Sequence, residues 1–265
     1  MDGETTDELI ARGMPHATDE DGPRFWSTDL HYLGLRLGCA TLYQGVLNRW
    51  AGALTAFSAR ARTRAEIRCT TYAPPGTDVE LLVAPGSPLR AQAEARATAL
   101  RFAVELRGDR PPLDGALPPG LDELLAELAA FDFCWLPPSL EADLAFVRRT
   151  RLANCLSTAL LLAEEAPRMG VEVRLAHGLL LAPPYSTPHN WAEVRLAEDD
   201  WVPLDPLLLG LLARFAGLDA AAWPPARSPG AILLRLAEPG TPLVRAVDTG
   251  APLEATFLTK VLADV

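Results

Sequence analysis

The segment from Arg151 to Pro206 sets the tightest limits on what this chain can become. It reads RLANCLSTALLLAEEAPRMGVEVRLAHGLLLAPPYSTPHNWAEVRLAEDDWVPLDP. After Cys155, the residues Leu156, Ala159, Leu160 and Ala163 recur at three- and four-residue steps, which predicts a helix with the cysteine in its first turn. Further on, Ala192, Val194 and Leu196 alternate with Glu193, Arg195 and Ala197. A second short run, Trp201 to Leu204, follows the turn Glu198-Asp199-Asp200. The alternation predicts a hairpin with His189 at one mouth and Asp205 at the other.

A cysteine, a histidine and an aspartate in that order suit nucleophilic catalysis. The thiolate is the attacking species, and a free thiol with a pKa of about 8.5 is mostly protonated at neutral pH. A helix N-terminus favours the anion through its unpaired N–H groups and its dipole. A histidine brought alongside completes an ion pair and later protonates the leaving group. An aspartate on the other ring nitrogen holds the tautomer and the orientation.

These residues resemble the transglutaminase-like superfamily of thiol enzymes. The family pattern is a cysteine opening an alanine- and leucine-rich helix, a following strand, then H-x-W-x-E at a strand start and a closing W-x-x-x-D-P. Here the pieces are Cys155 with LSTALLLA, HNWAE at 189–193 and WVPLDP at 201–206. The chain departs from the pattern at Ala153, where many members carry Gly, and at Asn190, where many carry Ala or Ser. The resemblance implies an α+β fold of the cysteine-protease type, with the Cys155 helix packed on an antiparallel sheet that carries His189 and Asp205. No cofactor is expected, and no metal either, because no calcium-ligand loop is evident in the sequence.

Length and composition are consistent with such an enzyme. A chain of 265 residues buries a sizeable core, and a net charge of −10 argues against nucleic-acid or anionic-membrane partners. Residues 1–22 hold seven acids against Arg12, so residues 1–24 are expected to be an acidic, poorly ordered arm. Cys39, Cys69, Cys134 and Cys155 show no C-x-x-C pairing, which indicates neither zinc nor a disulfide scaffold. With neither a signal-peptide pattern nor a membrane-length apolar run, the expected location is the cytoplasm.

Residues 25–110 read as an N-terminal helix, hairpin and helix region, and 111–265 as the catalytic core. A helix over Asp29–Ser58, broken near Gly38 or Gly45, is followed by two strands, Ala65–Thr71 and Asp78–Ala84. A further helix opens at Ser87-Pro88 and runs to Leu106. The Pro- and Gly-rich stretch 108–120 reads as a linker, with helices at 121–130 and 140–150 beyond it. An oxyanion needs donors aimed where charge develops. The backbone N–H of Cys155 is the first choice, with Trp135, Asn154 and Asn190 as side-chain candidates. Trp191 and Tyr185 are candidate substrate contacts, and Ser186 and Thr187 share the loop before His189. His177 lacks a following W-x-E and reads as structural.

The triad alone does not choose between water and an amine as acyl acceptor. The expected activity is amide formation from an acyl thioester or amide donor and an amine, through a Cys155 thioester. Candidate partners are a small amine or peptide and an acyl carrier protein or other acyl thioester donor. A cysteine peptidase or amidase is the alternative, and a non-catalytic binding module the alternative of another class.

Overall fold

The computed structural model describes residues 3–11, 16–38, 42–74, 76–83, 99–108, 113, 117, 118, 120–197 and 200–262. The chain divides into two units, 1–46 and 47–265.

In the first unit, α1 (Gly3–Ala11) precedes a short antiparallel hairpin of β1 (Ala17–Asp19) and β2 (Gly22–Arg24), then α2 (Ser27–Arg36). The segment expected to be an unstructured arm therefore carries local structure. The hairpin turn uses Gly22 at φ +112°, a conformation open to glycine, and Arg24 pairs with Asp19 and Asp21 across it. Gly38, at φ +71°, separates α2 from α3 (Leu42–Ser58), whereas Gly45 lies inside α3.

The second unit is built on a seven-stranded, antiparallel sheet. Its strands are β3 (Arg62–Thr71), β5 (Ala99–Arg107), β8 (Val173–Leu180), β9 (Tyr185–Ala197), β10 (Asp200–Leu204), β11 (Leu233–Ala237) and β13 (Ala255–Val261). The order is β11-β8-β9-β13-β3-β5, with β10 also paired to β9. This sheet crosses the boundary expected at 110/111, because β13 joins β3 on one side to β9 on the other.

Two other expectations are corrected. The strands after α3 do not pair with each other: β3 pairs with β5 and β13, while β4 (Val79–Leu81) pairs with β12 (Val244–Ala246). Ala99–Arg107 is strand and not helix, because Leu100, Phe102, Val104 and Leu106 alternate and are all buried. The start of that expected helix at Ser87 lies outside the described residues, as does Cys39.

Helices cover the half of the sheet that carries the site. They are α4 (Leu121–Ala129), α5 (Pro138–Glu141), α6 (Leu144–Thr150), α7 (Cys155–Glu165) and α8 (Pro206–Phe215), with β6 (Asp132–Phe133) and β7 (Leu152–Ala153) forming a short parallel ladder. The helix expected over 140–150 is split in two, because Asp143 caps α6 by accepting from Phe146 N–H. One core unites Leu121, Leu125 and Leu128 of α4, Val147 of α6, Ala159, Leu161 and Leu162 of α7, and Ala192 and Val194 of β9. Where α8 meets α4, a Cβ on Gly210 would lie 2.0 Å from the Ala129 carbonyl, so this contact requires glycine.

Candidate active site

Cys155 is the first residue of α7, and the turn before it is firmly anchored. Asn154 is the N-cap: its Oδ1 accepts from the Ser157 N–H at 2.9 Å, and its Nδ2 donates to Glu141 Oε2 at 2.7 Å. Ser157 is fully buried and its Oγ donates to the Glu141 carbonyl at 3.0 Å. Asn154 thus spends its amide on the helix cap, which removes it as an oxyanion donor. The N–H of Cys155 belongs to the first turn, where it has no carbonyl four residues back and is directed off the helix end.

His189 is delivered by β9. That strand begins at Tyr185, so His189 lies within it and not at a hairpin mouth, and Tyr185, Ser186 and Thr187 are strand residues as well. The β9–β10 hairpin is present, with Leu204 opposite Ala192. Asp205 follows as N-cap of α8, its Oδ1 accepting from Leu208 N–H at 3.0 Å while Oδ2 accepts from His189 Nε2 at 2.5 Å. Both side chains are buried. With Nε2 on Asp205, Nδ1 is the nitrogen left to face Cys155.

The electrostatics favour a thiolate–imidazolium pair. Burial opposes ionisation of Cys155, but the charge and hydrogen bond of His189, together with the Asn190 backbone N–H, outweigh it and lower the thiol pKa. Burial likewise opposes charge on His189, and the Cys155 thiolate and the Asp205 carboxylate overcome it, lifting the imidazole to about 10. Each partner stabilises the charge of the other. By contrast, Cys69 has no such partner, and burial alone pushes its thiol up to about 12.

The rest of the H-x-W-x-E run supports the histidine from beside it. The Trp191 ring stacks on His189 at 6.3 Å between centroids and 20° between planes. Its Nε1–H donates to Glu193 Oε1 at 3.2 Å, and Arg174 Nε donates to Glu193 Oε2 at 2.6 Å. Arg235, also buried, lies 3.9 Å from the same carboxylate. Glu193 is therefore a buried anion holding the tryptophan and two guanidinium groups, a role that period-two alternation alone did not disclose.

Among the other candidates, Asn190 reaches the candidate nucleophile, its Nδ2 lying 3.8 Å from Cys155 Sγ. Trp191 is buried behind His189 and is no surface for substrate. Trp135 is 64 % exposed and Tyr185 55 % exposed. The Trp135 loop runs alongside the nucleophile segment, since Cys134 N–H donates to the Ala153 carbonyl at 2.9 Å. Among the described residues, no group of three or more His, Cys, Asp or Glu side chains is arranged to hold a metal ion.

Residues 137–206 match the family model of the transglutaminase-like superfamily. This segment resembles a transglutaminase-like core. The match takes in the cysteine helix, the histidine strand and the closing Asp-Pro. Two solved structures are similar to the chain. One is a candidate cysteine protease of Cytophaga hutchinsonii, at 10% identity and a TM-score of 0.38, covering 78% of this chain and 93% of that one. The other is the periplasmic domain of TgpA from Pseudomonas aeruginosa, at 14% identity and a TM-score of 0.32, covering 64% and 96%. No curated protein matches the chain. That superfamily covers cysteine-based acyltransferases and peptidases. No helix among the described residues is long and apolar enough to cross a membrane.

Proposed function

We propose that this protein is a thiol acyltransferase that forms an amide from an acyl thioester or amide donor and an amine acceptor. The observation that carries the reading is the buried Asp205–His189 hydrogen bond together with Cys155 at the start of α7, whose thiol pKa the charge of His189 lowers against the effect of burial. In the acylation step the Cys155 thiolate attacks the donor carbonyl, and the oxyanion develops beside the Cys155 N–H. The Asn190 amide is the candidate second donor, because Nδ2 already lies near the sulfur. Imidazolium His189 protonates the leaving group, and the thioester remains. In the second step an amine attacks, His189 takes its proton, the C–S bond breaks and the thiolate returns.

Burial of His189 and Asp205 supports transfer over hydrolysis, since a base shielded from bulk water gives a bound amine the advantage. Acyl donors carried on a phosphopantetheine arm, as on an acyl carrier protein, suit this chemistry. The test is intact-protein mass spectrometry of wild type and Cys155→Ala after incubation with a panel of acyl thioesters and glutamine peptides. An adduct on wild type alone, discharged by added amine into an amide, is the expected result. Discharge into water despite abundant amine would make the protein a hydrolase, and no adduct with any donor would remove the acyl-enzyme from the mechanism.

A further inference from the structure

The outward face of one half of the sheet carries a charge opposite to that of the chain. On β3, Ala65, Ile67 and Cys69 are buried, so Arg62, Arg64, Glu66 and Arg68 point to the other side. β5 adds Arg101, Glu105 and Arg107 to that side, and β13 adds Leu258 and Lys260. Six cations stand there against two carboxylates, in a chain whose net charge is −10. Glu105 is already paired with Arg62 at 2.9 Å. Arg68 and Arg101 are directly opposite each other, an arrangement that costs stability. Among the described residues, Arg68, Arg101 and Lys260 have no ion-pair partner.

This face is continuous with the strand that bears His189. Leu258 lies opposite Arg68 on β3 and opposite Tyr185 on β9, so Tyr185, Leu258, Arg68 and Arg101 form one row across four strands. Alternation puts Tyr185, Thr187 and His189 on one side of β9. His189 lies about 13 Å beyond Tyr185 at the usual rise of a strand. Tyr185 is more than half exposed, and a groove of about 280 Å³ opens between Arg68, Arg101, Leu258 and Lys260. Tyrosine and arginine are the side chains that most often anchor protein interfaces. The face measures about 27 Å along β3 and about 14 Å across the strands, a footprint of brief encounters rather than permanent complexes.

We propose that this face docks the acyl donor as an acidic carrier protein, whose acyl-bearing arm then runs along β9 to Cys155. There the Cys155 sulfur bonds to the acyl carbon, the bond to the sulfur of the arm breaks, and that thiolate takes the His189 proton. The assignment rests on the amide-forming reading above and names where its donor binds. A nucleic acid or an anionic membrane extends over the acidic remainder of the chain as well. A small acidic domain meets this face alone, because exposed charges are screened beyond about 10 Å.

The test places one acyl group, that which labels Cys155 in the thioester panel, on N-acetylcysteamine, on coenzyme A and on the acidic acyl carrier protein of fatty-acid synthesis. Acylation rates are read by quenched-flow mass spectrometry. Wild type is expected to react about tenfold faster with the carrier than with N-acetylcysteamine at low salt, and to lose that advantage at about 1 M salt. Arg68→Glu combined with Arg101→Glu is expected to lower the carrier-to-N-acetylcysteamine ratio about tenfold, and Arg68→Lys combined with Arg101→Lys to restore most of it. Lys260 is the only lysine of the chain, so a carbodiimide, which condenses an amine with a carboxylate and takes up the water lost, is expected to join the carrier to Lys260. A carrier advantage absent from wild type, or unchanged by the two glutamates, overturns the docking face. So does a cross-link at the N-terminal amine in place of Lys260. An equal loss with the coenzyme A thioester makes the face a nucleotide site and overturns the carrier. If the N-acetylcysteamine thioester labels Cys155 but no amine takes up the acyl group, the amide-forming reading fails while the ratio still judges the face. If no thioester labels Cys155, the acyl-enzyme fails and the carrier falls with it.

Discussion

Replacing Asp205 by Asn and by Ala separates two jobs performed by one carboxylate. Oδ1 caps α8 through Leu208 N–H, and Oδ2 orients His189. Asn keeps an oxygen for the cap but offers an N–H to the imidazole, which must then accept at Nε2 and carry its proton on Nδ1, facing Cys155. That tautomer cannot take a proton from the nucleophile. The rate of Cys155 acylation is therefore expected to fall roughly 10³- to 10⁴-fold in both variants, the scale set by triads deprived of their acid. Stability divides differently. Ala loses a cap worth about 1 kcal/mol and a buried hydrogen bond worth about 1.5 kcal/mol, together about 2.5 kcal/mol. Asn retains the cap and a neutral hydrogen bond to the ring, and is expected to lose about 1 kcal/mol. Urea denaturation followed by circular dichroism measures the second quantity, and stopped-flow acylation of folded protein the first. Acylation within threefold of wild type in Asp205→Asn, or equal destabilisation by Asn and Ala, would refute the reasoning.

The charge pair also sets a pH window. His189, raised to about 10 from an ordinary 6.5, contributes stability that is complete below pH 6.5 and lost as pH rises through 10. Cys155, lowered from 9.0, contributes stability that is present above that pH and lost as pH falls through its folded value. Urea midpoints against pH should show the alkaline loss, and Cys155→Ala should move it to lower pH by removing the thiolate that raises His189. Iodoacetamide should label wild-type Cys155 well below the pH at which His189→Ala is labelled. Gly210→Ala gains up to about 1 kcal/mol of helix propensity, yet drives a methyl group against the Ala129 carbonyl. A net loss of about 2 kcal/mol is expected from overpacking and is read from the urea midpoint. Glu193→Ala strands Arg174 and Arg235 beside an uncharged cavity and frees the Trp191 indole, with about 3 kcal/mol lost in chemical denaturation.

Much of the site is legible in the sequence because its signals are local. The apolar steps after Cys155 mark α7, alternation marks β9 and β10, and Asp205 before Pro206 is itself a helix-start signal. Asn154 three residues before Ser157 is likewise a cap pattern, and it explains why that amide is not free for substrate. What escapes local reading is partnership. Nothing near Val79 points to Val244 and Ala246, which lie more than 150 residues away along the chain. An Ala-rich run ahead of Leu100 extends a helical pattern into residues that the sheet claims as strand. Glu193 reads as the outward position of an alternating strand until Arg174 and Arg235 arrive from two other strands to bury it.

β13, the last of the described strands, occupies the middle of the sheet. β13 is the seam between β9 and β3, with Phe257 and Leu258 pairing Ser186 and Tyr185 on one edge and residues 255–261 pairing 65–71 on the other. In chain order β3 and β5 precede the strand that brings His189, and the edges of β3 and β9 that β13 joins are open until β13 is made. A chain translated in this order presents two open strand edges until β13 emerges. The assembly of the strand that carries His189 into the full sheet waits for β13.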